Sequence, residues 1–229
     1  MSRNSIKLHT PAGKRWLEKA TAEAAAPKAP AAAPAAKAKA GKPAPSGAGE
    51  VRIIGGQWKR SKLPVPDLPG LRPTSDRIRE TLFNWLGQTL NGWRVLDAFA
   101  GSGALGFEAA SRGADAVVML EREAVLVDSL RASQKRLQAT AITLHRANAL
   151  NWMTACAERF DLIFLDPPFA DDLFDRALAA AVPLVAEGGL IYVESPREIA
   201  APAGFTAWRQ GRAGAVHYQL LRRDDNPAS

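Results

Sequence analysis

Apolar positions are sparse before Val51 and then fall into two alternating periods. From Trp93 onward, short apolar runs are separated by stretches with helical spacing. The segments 93–98 (WRVLDA), 114–121 (ADAVVMLE), 141–147 (AITLHRA), 160–166 (FDLIFLD) and 188–195 (GGLIYVES) predict strands. FDLIFLD has the nearly continuous apolar character of a parallel strand covered on both faces. Between the strands, 104–113, 122–140, 148–158 and 171–185 carry the periodicity of helices. The stretch 205–223 predicts two further strands joined near Gly211–Gly214. Upstream, 51–63 (VRIIGGQWKRSKL) has two β-rich runs around Gly55-Gly56, the pattern of a hairpin. A Pro-rich connection leads to an amphipathic helix over 75–90, capped by Ser75 or Thr74, with Ile78, Leu82, Phe83, Trp85 and Leu86 on one face. The expected fold is α/β: an open, doubly wound, Rossmann-like and mostly parallel sheet. It ends in an antiparallel C-terminal hairpin and carries an N-terminal β-hairpin extension. Ligands on such sheets bind beyond the carboxyl ends of the strands.

Composition separates a tail from this body. Residues 24–49 are Ala/Pro/Lys low complexity with almost nothing to bury, which predicts a disordered, extended coil. Residues 1–49 hold nine basic and two acidic side chains, so the whole net charge of +7 sits there. Such a tail adds weak, salt-sensitive affinity for a polyanion. Residues 51–79 hold seven basic and two acidic groups, on an otherwise acidic body. That asymmetry points to an anionic partner met by the N-terminal side. The expected division is a tail (1–49), a hairpin and helix (50–92), the α/β domain (93–223) and a short end (224–229). Cys156 is the single cysteine, so no internal disulfide forms, and no Cys/His cluster offers a zinc site. The start lacks the apolar core of a secretory signal, and no apolar run reaches the ~20 residues of a membrane span. The natural home is a reducing cytoplasm.

Candidate chemistry sits at the strand ends. The first strand runs into DAFAGSGALG (97–106), where Gly101, Gly103 and Gly106 satisfy G-x-G-x-x-G. Alone this is a weak dinucleotide signal. Asp97 argues against a pyrophosphate and for S-adenosylmethionine, whose sulfonium and amine are cationic. The bland alternative for Asp97 is an acid serving a turn or a helix N-terminus. Glu121, at the second strand end, is placed to accept from ribose hydroxyls, or else opens a helix. Asn148, after the third, either bonds the adenine amine or caps the next helix. After the fourth comes Asp166-Pro167-Pro168-Phe169. Two prolines remove two backbone donors and leave acceptors, namely the Asp166 carboxylate and the Pro167 carbonyl. Phe169 adds a stacking face. Acceptors without donors suit a planar base bearing an exocyclic amine.

DAFAGSGALG with DPPF resembles the amino-directed S-adenosylmethionine methyltransferases. RIIGGQWKRSKLPVP followed by GLRPTSDRIRETLFNWL narrows the resemblance to the RsmD family, across about residues 51–222. The resemblance implies methylation of guanine N2 at position 966 of 16S rRNA. It implies S-adenosylmethionine as cofactor, S-adenosylhomocysteine as product and no metal. Asp97, Phe99, Gly101, Gly103, Glu121, Asn148 and Asp166 would then shape the cofactor site, and Asp166 through Phe169 would hold the guanine. Arg72, Thr74, Arg77 and Arg79 match the family's front motif and would face cofactor or RNA. Arg52, Lys59, Arg60 and Lys62 would meet phosphates. The implied partner is 16S rRNA within an assembling small subunit; nothing in the sequence demands a dimer, so a monomer is the expectation. The competing readings are a DNA adenine-N6 methyltransferase, which lacks room here for a target-recognition region, a nucleotide-linked oxidoreductase, and a non-catalytic RNA-binding protein.

Overall fold

A computed structural model describes residues 49–68, 75–168 and 173–225. The expectations for the tail up to residue 48, and those for Arg72, Thr74 and Phe169, lie outside the described residues. Strands β3 (Arg94–Asp97), β4 (Ala116–Glu121), β5 (Ile142–Arg146), β6 (Phe160–Leu165), β7 (Val185–Ser195), β8 (Phe205–Ala213) and β9 (Val216–Arg223) form one seven-stranded sheet. Its order is β5-β4-β3-β6-β7-β9-β8. Strands β3 to β7 pair in parallel, whereas β9 runs antiparallel to β7 and β8. The chain winds outward from β3 to β5, then returns to place β6 on the other side of β3. That reversal opens a crevice at the carboxyl ends of β3 and β6. All six residues of β6 are buried, as its unbroken apolar run requires.

Helices cover both faces. Helices α1 (Asp76–Leu86), α2 (Ala104–Ser111) and α3 (Ala124–Leu137) pack on the face that carries Val95, Met119, Phe164 and Tyr192. Helices α4 (Ala149–Ala155) and α5 (Leu173–Ala181) pack on the face of Leu96, Ile163 and Val193. The Ser75 side chain caps α1 by accepting from the Ile78 amide.

The N-terminal hairpin is present but wider than its sequence suggests. Strands β1 (Gly49–Arg52) and β2 (Lys62–Val65) pair antiparallel, and Gly49, assigned by composition to the tail, opens β1. The residues between them form a long turn, because its amides are drawn onto α2. Ile54 and Gly55 donate to the Glu108 carboxylate, each at 2.7 Å. Gln57 donates to the Ser111 carbonyl and Trp58 to its Oγ.

Candidate active site

The glycine loop joins β3 to α2, and its shape follows from two tight approaches. Gly103 precedes α2 at φ +80, where a Cβ would stand 2.5 Å from Leu130 Cδ2 and 2.8 Å from Phe107. Only glycine reaches that left-handed turn without strain. Gly106 lets α2 close onto the sheet, since a Cβ there would lie 2.9 Å from both Asp97 Oδ2 and Met119 Sδ. Both glycines are thus demanded by packing: one turns the loop into α2, and the other seats α2 on the sheet above Asp97.

Asp97 is 2% exposed, and its Oδ2 accepts from the Gly106 amide at 2.9 Å. This is the service of an acid at a helix N-terminus, so Asp97 supports the loop from beneath. Phe99 is half-buried on the loop. Burial pushes the Asp97 carboxyl from 3.8 up to about 7; the Gly106 amide opposes the shift and the Glu121 charge adds to it. The sign for stability follows. Below the ordinary value both folded and unfolded chains are protonated. Between about pH 4 and 7 the unfolded chain gives up its proton while the folded one keeps it, so stability falls as pH rises through that window. Asp97→Asn retains an oxygen for Gly106 and removes the titration. Its Tm relative to the parent is expected to climb from about pH 4 to pH 7 and then level off. A difference that stays flat across those melting curves would refute the assignment.

Glu121 is half-buried at the end of β4. Its Oε2 accepts from the Gly101 amide at 2.9 Å, and its Oε1 accepts from the amides of Arg122 and Glu123 at 2.7 and 2.9 Å. It therefore ties the glycine loop to the second strand end. Asn148 is exposed and accepts from the Asn151 amide at 3.1 Å, which is the capping alternative. Asp166 is half-buried just beyond β6, Pro167 is buried and Pro168 is exposed. The strand ends thus carry Asp97 and Glu121 on β3 and β4, with Asp166 just beyond the adjacent β6. Among the described residues no group of three or more His, Cys, Asp or Glu side chains could hold a metal. No described helix is long and apolar enough to cross a membrane.

Residues 51–222 match the protein family described as Conserved hypothetical protein 95. The chain is 42% identical over 188 residues to Ribosomal RNA small subunit methyltransferase D of Escherichia coli (strain K12), covering 80% of this chain and 95% of that protein. The chain belongs to the RsmD family. The Haemophilus influenzae protein of the same name is 38% identical over 189 residues, covering 78% and 96%. A solved Escherichia coli protein, yhhF, provisionally described as a methyltransferase, superposes with a TM-score of 0.72 at 40% identity, covering 78% and 100%. The sheet is that of a methyltransferase.

Within the family's front motif the arginines part company. Arg52, Lys59, Arg60, Lys62 and Arg77 are exposed. Arg79, expected to face cofactor or RNA, is instead fully buried. The helical stripe explains why: Ile78, Arg79, Leu82, Phe83 and Leu86 all lie on the inward face of α1. Its guanidinium stands 2.6 Å from Asp76 and 3.8 Å from Glu108. Glu108 also accepts from Arg112 Nε at 2.8 Å. The sequence reading passed over Glu108 and Arg112. The available signal was an acid in the middle of ALGFEAAS, a helix otherwise apolar but for its terminal Ser111. It also passed over two side chains of β7, Tyr192 and Glu194.

Proposed function

We propose that this chain transfers a methyl group from S-adenosylmethionine to the exocyclic N2 of a guanine in small-subunit 16S rRNA, guanine 966 in the standard numbering. The observation that carries the reading is Asp166-Pro167-Pro168 at the end of β6, directly across the crevice from the glycine loop after β3. The relatives named Ribosomal RNA small subunit methyltransferase D support rRNA as the substrate class.

When bound, the cofactor supplies an electrophilic methyl. The residues of this chain supply the positioning, which dominates because an exocyclic amine is a weak nucleophile. Gly101 and Gly103 admit the cofactor, the half-buried Glu121 carboxylate favours its positive charge, and Asp97 holds the loop from beneath. The Asp166 carboxylate and Pro167 carbonyl accept the two amine protons and turn the nitrogen lone pair toward the methyl. Phe169, next in sequence, supplies the stacking face. Asp166 needs no elevated basicity, since the N2 proton becomes strongly acidic once the methyl arrives and then passes to the Asp166 carboxylate or to water. The exposed cations of the hairpin and α1 meet phosphates. Asn148 lies near the adenine end while capping α4.

The test is transfer of labelled methyl to 16S rRNA, offered naked and as assembled small subunits, followed by nucleoside analysis. N2-methylguanosine from either substrate supports the reading, and the preferred one identifies the partner. Label in adenine, or none with cofactor binding intact, would overturn it. The front-end assignment has its own check. Arg52→Gln with Lys59→Gln is expected to flatten the log–log salt dependence of RNA affinity by about 1.5. An unchanged slope would remove these two side chains from the interface.

A further inference from the structure

Buried acids are costly unless something requires them. Glu194 is one such acid. It lies on β7, 4% exposed, and has no role in the chemistry above. The register Leu165↔Val193 brings Asp166 and Glu194 side by side at the ends of two parallel strands. Side chains alternate between faces along a strand. Phe164 and Tyr192 belong to the core under α1 and α2, so Asp166 and Glu194, each two residues further on, share that face. The Tyr192 hydroxyl donates to Glu194 Oε1 at 2.9 Å. Burial holds the Tyr192 phenol well above its ordinary value, and the charges of Glu194 and Asp166 both add to this, so the hydroxyl stays a donor within the field of both acids.

We infer that Glu194, oriented by Tyr192, is a specificity residue that reads the N1–H edge of the target guanine. The inference rests on the guanine-N2 reading above. Guanine presents N1–H and the N2 amine as adjacent donors. Asp166 and the Pro167 carbonyl serve the amine. A second carboxylate beside Asp166 matches the neighbouring N1–H. Adenine offers an unprotonated N1 at the equivalent edge, and a buried carboxylate repels it. One acid then positions the reacting nitrogen and the other selects the base.

The discriminating substrate is rRNA with 2-aminopurine at the target position, which keeps the N2 amine but has no proton on N1. For the parent enzyme, 2-aminopurine is expected to lower kcat/KM by roughly 10–100-fold. Glu194→Gln should lose a similar factor on guanine, with the cofactor Kd within about twofold, and should show little further loss on 2-aminopurine. The amide NH2 of Gln suits an unprotonated N1, and loss of O6 from the analogue affects both enzymes alike. A full 2-aminopurine penalty in Glu194→Gln would overturn the inference, leaving Glu194 a structural acid. If that variant does not fold, Tyr192→Phe decides, because it keeps the carboxylate and frees its orientation. A reduced penalty then supports the inference and a full one overturns it. Should the parent enzyme methylate no guanine N2, the functional reading fails first and this inference goes with it. An active parent with an unchanged penalty isolates failure of the inference alone.

Discussion

Asp166→Ala is expected to lower turnover by roughly 10²–10³-fold while the cofactor Kd changes less than about threefold. The carboxylate is held for one task. Strand β6 is buried along its whole length and cannot shift, and Pro167 is buried immediately after it. Two consecutive prolines fix the backbone and present no amide of their own, so the acceptors stay aimed without a competing donor. In the resting amine the nitrogen lone pair is delocalised into the ring. Holding both amine protons matters most as that lone pair turns toward the methyl, so the contact strengthens in the transition state. Such an interaction, once removed, lowers kcat and kcat/KM together. Asp166→Asn keeps one acceptor and sets an amide NH2 against an amine, so an intermediate loss is expected. Single-turnover rates at saturating cofactor, with cofactor affinity measured separately, decide the matter. If affinity fell in parallel and the saturated complex reacted at the parent rate, Asp166 would belong to cofactor binding.

The order of strands and helices was legible because each element obeys one period. The unbroken FDLIFLD and the turn chemistry around it left little choice about β6. The glycine loop was equally legible, since Gly103 and Gly106 meet requirements that other residues fail. The roles of acids were harder to read. Asp97 and Asn148 occupy positions where a ligand contact and a helix-terminal bond make the same demand on residue type. The structure shows the helix-terminal bond in each case, to the Gly106 and the Asn151 amide, and such a bond is compatible with either role. Arg79 was misplaced for a related reason: a cation in a motif rich in cations looks exposed, but its phase on α1 is that of Leu82, Phe83 and Leu86. The hairpin's true width was illegible because the amides of Ile54 and Gly55 are satisfied by Glu108, more than fifty residues away. Local sequence carries no trace of a partner that distant.

That distant partner gives the other large expected effect. Glu108 is fully buried and serves four groups: the amides of Ile54 and Gly55, Arg112 Nε and, at 3.8 Å, Arg79 Nη1. Glu108→Ala would leave both amides unpaired and Arg112 without its carboxylate, while Arg79 would keep only its 2.6 Å pair with Asp76. Arg79 has no exposed surface and Arg112 only 6%, so neither reaches water without rearrangement. Arg112 also lies 4.7 Å over the Phe83 ring, which hinders its escape. Removing one partner of a buried ion pair costs about 3–5 kcal/mol, and that loss is expected in urea unfolding at neutral pH. Glu108→Gln keeps the acceptor and loses the charge, so it should fall between the two. Removing Arg79 and Arg112 as well, with apolar residues of similar volume, should recover part of the loss, because an absent charge needs no partner. The effect also has a direction in function. The hairpin turn is pinned to α2 through Glu108 and Ser111, and Gly103 immediately precedes α2. A chain that folds without Glu108 should therefore lose RNA affinity before cofactor affinity. A loss of stability under about 1 kcal/mol, with RNA affinity intact, would mean that the hairpin is held by Ser111 and by the apolar contact of Trp58 with Phe107 instead.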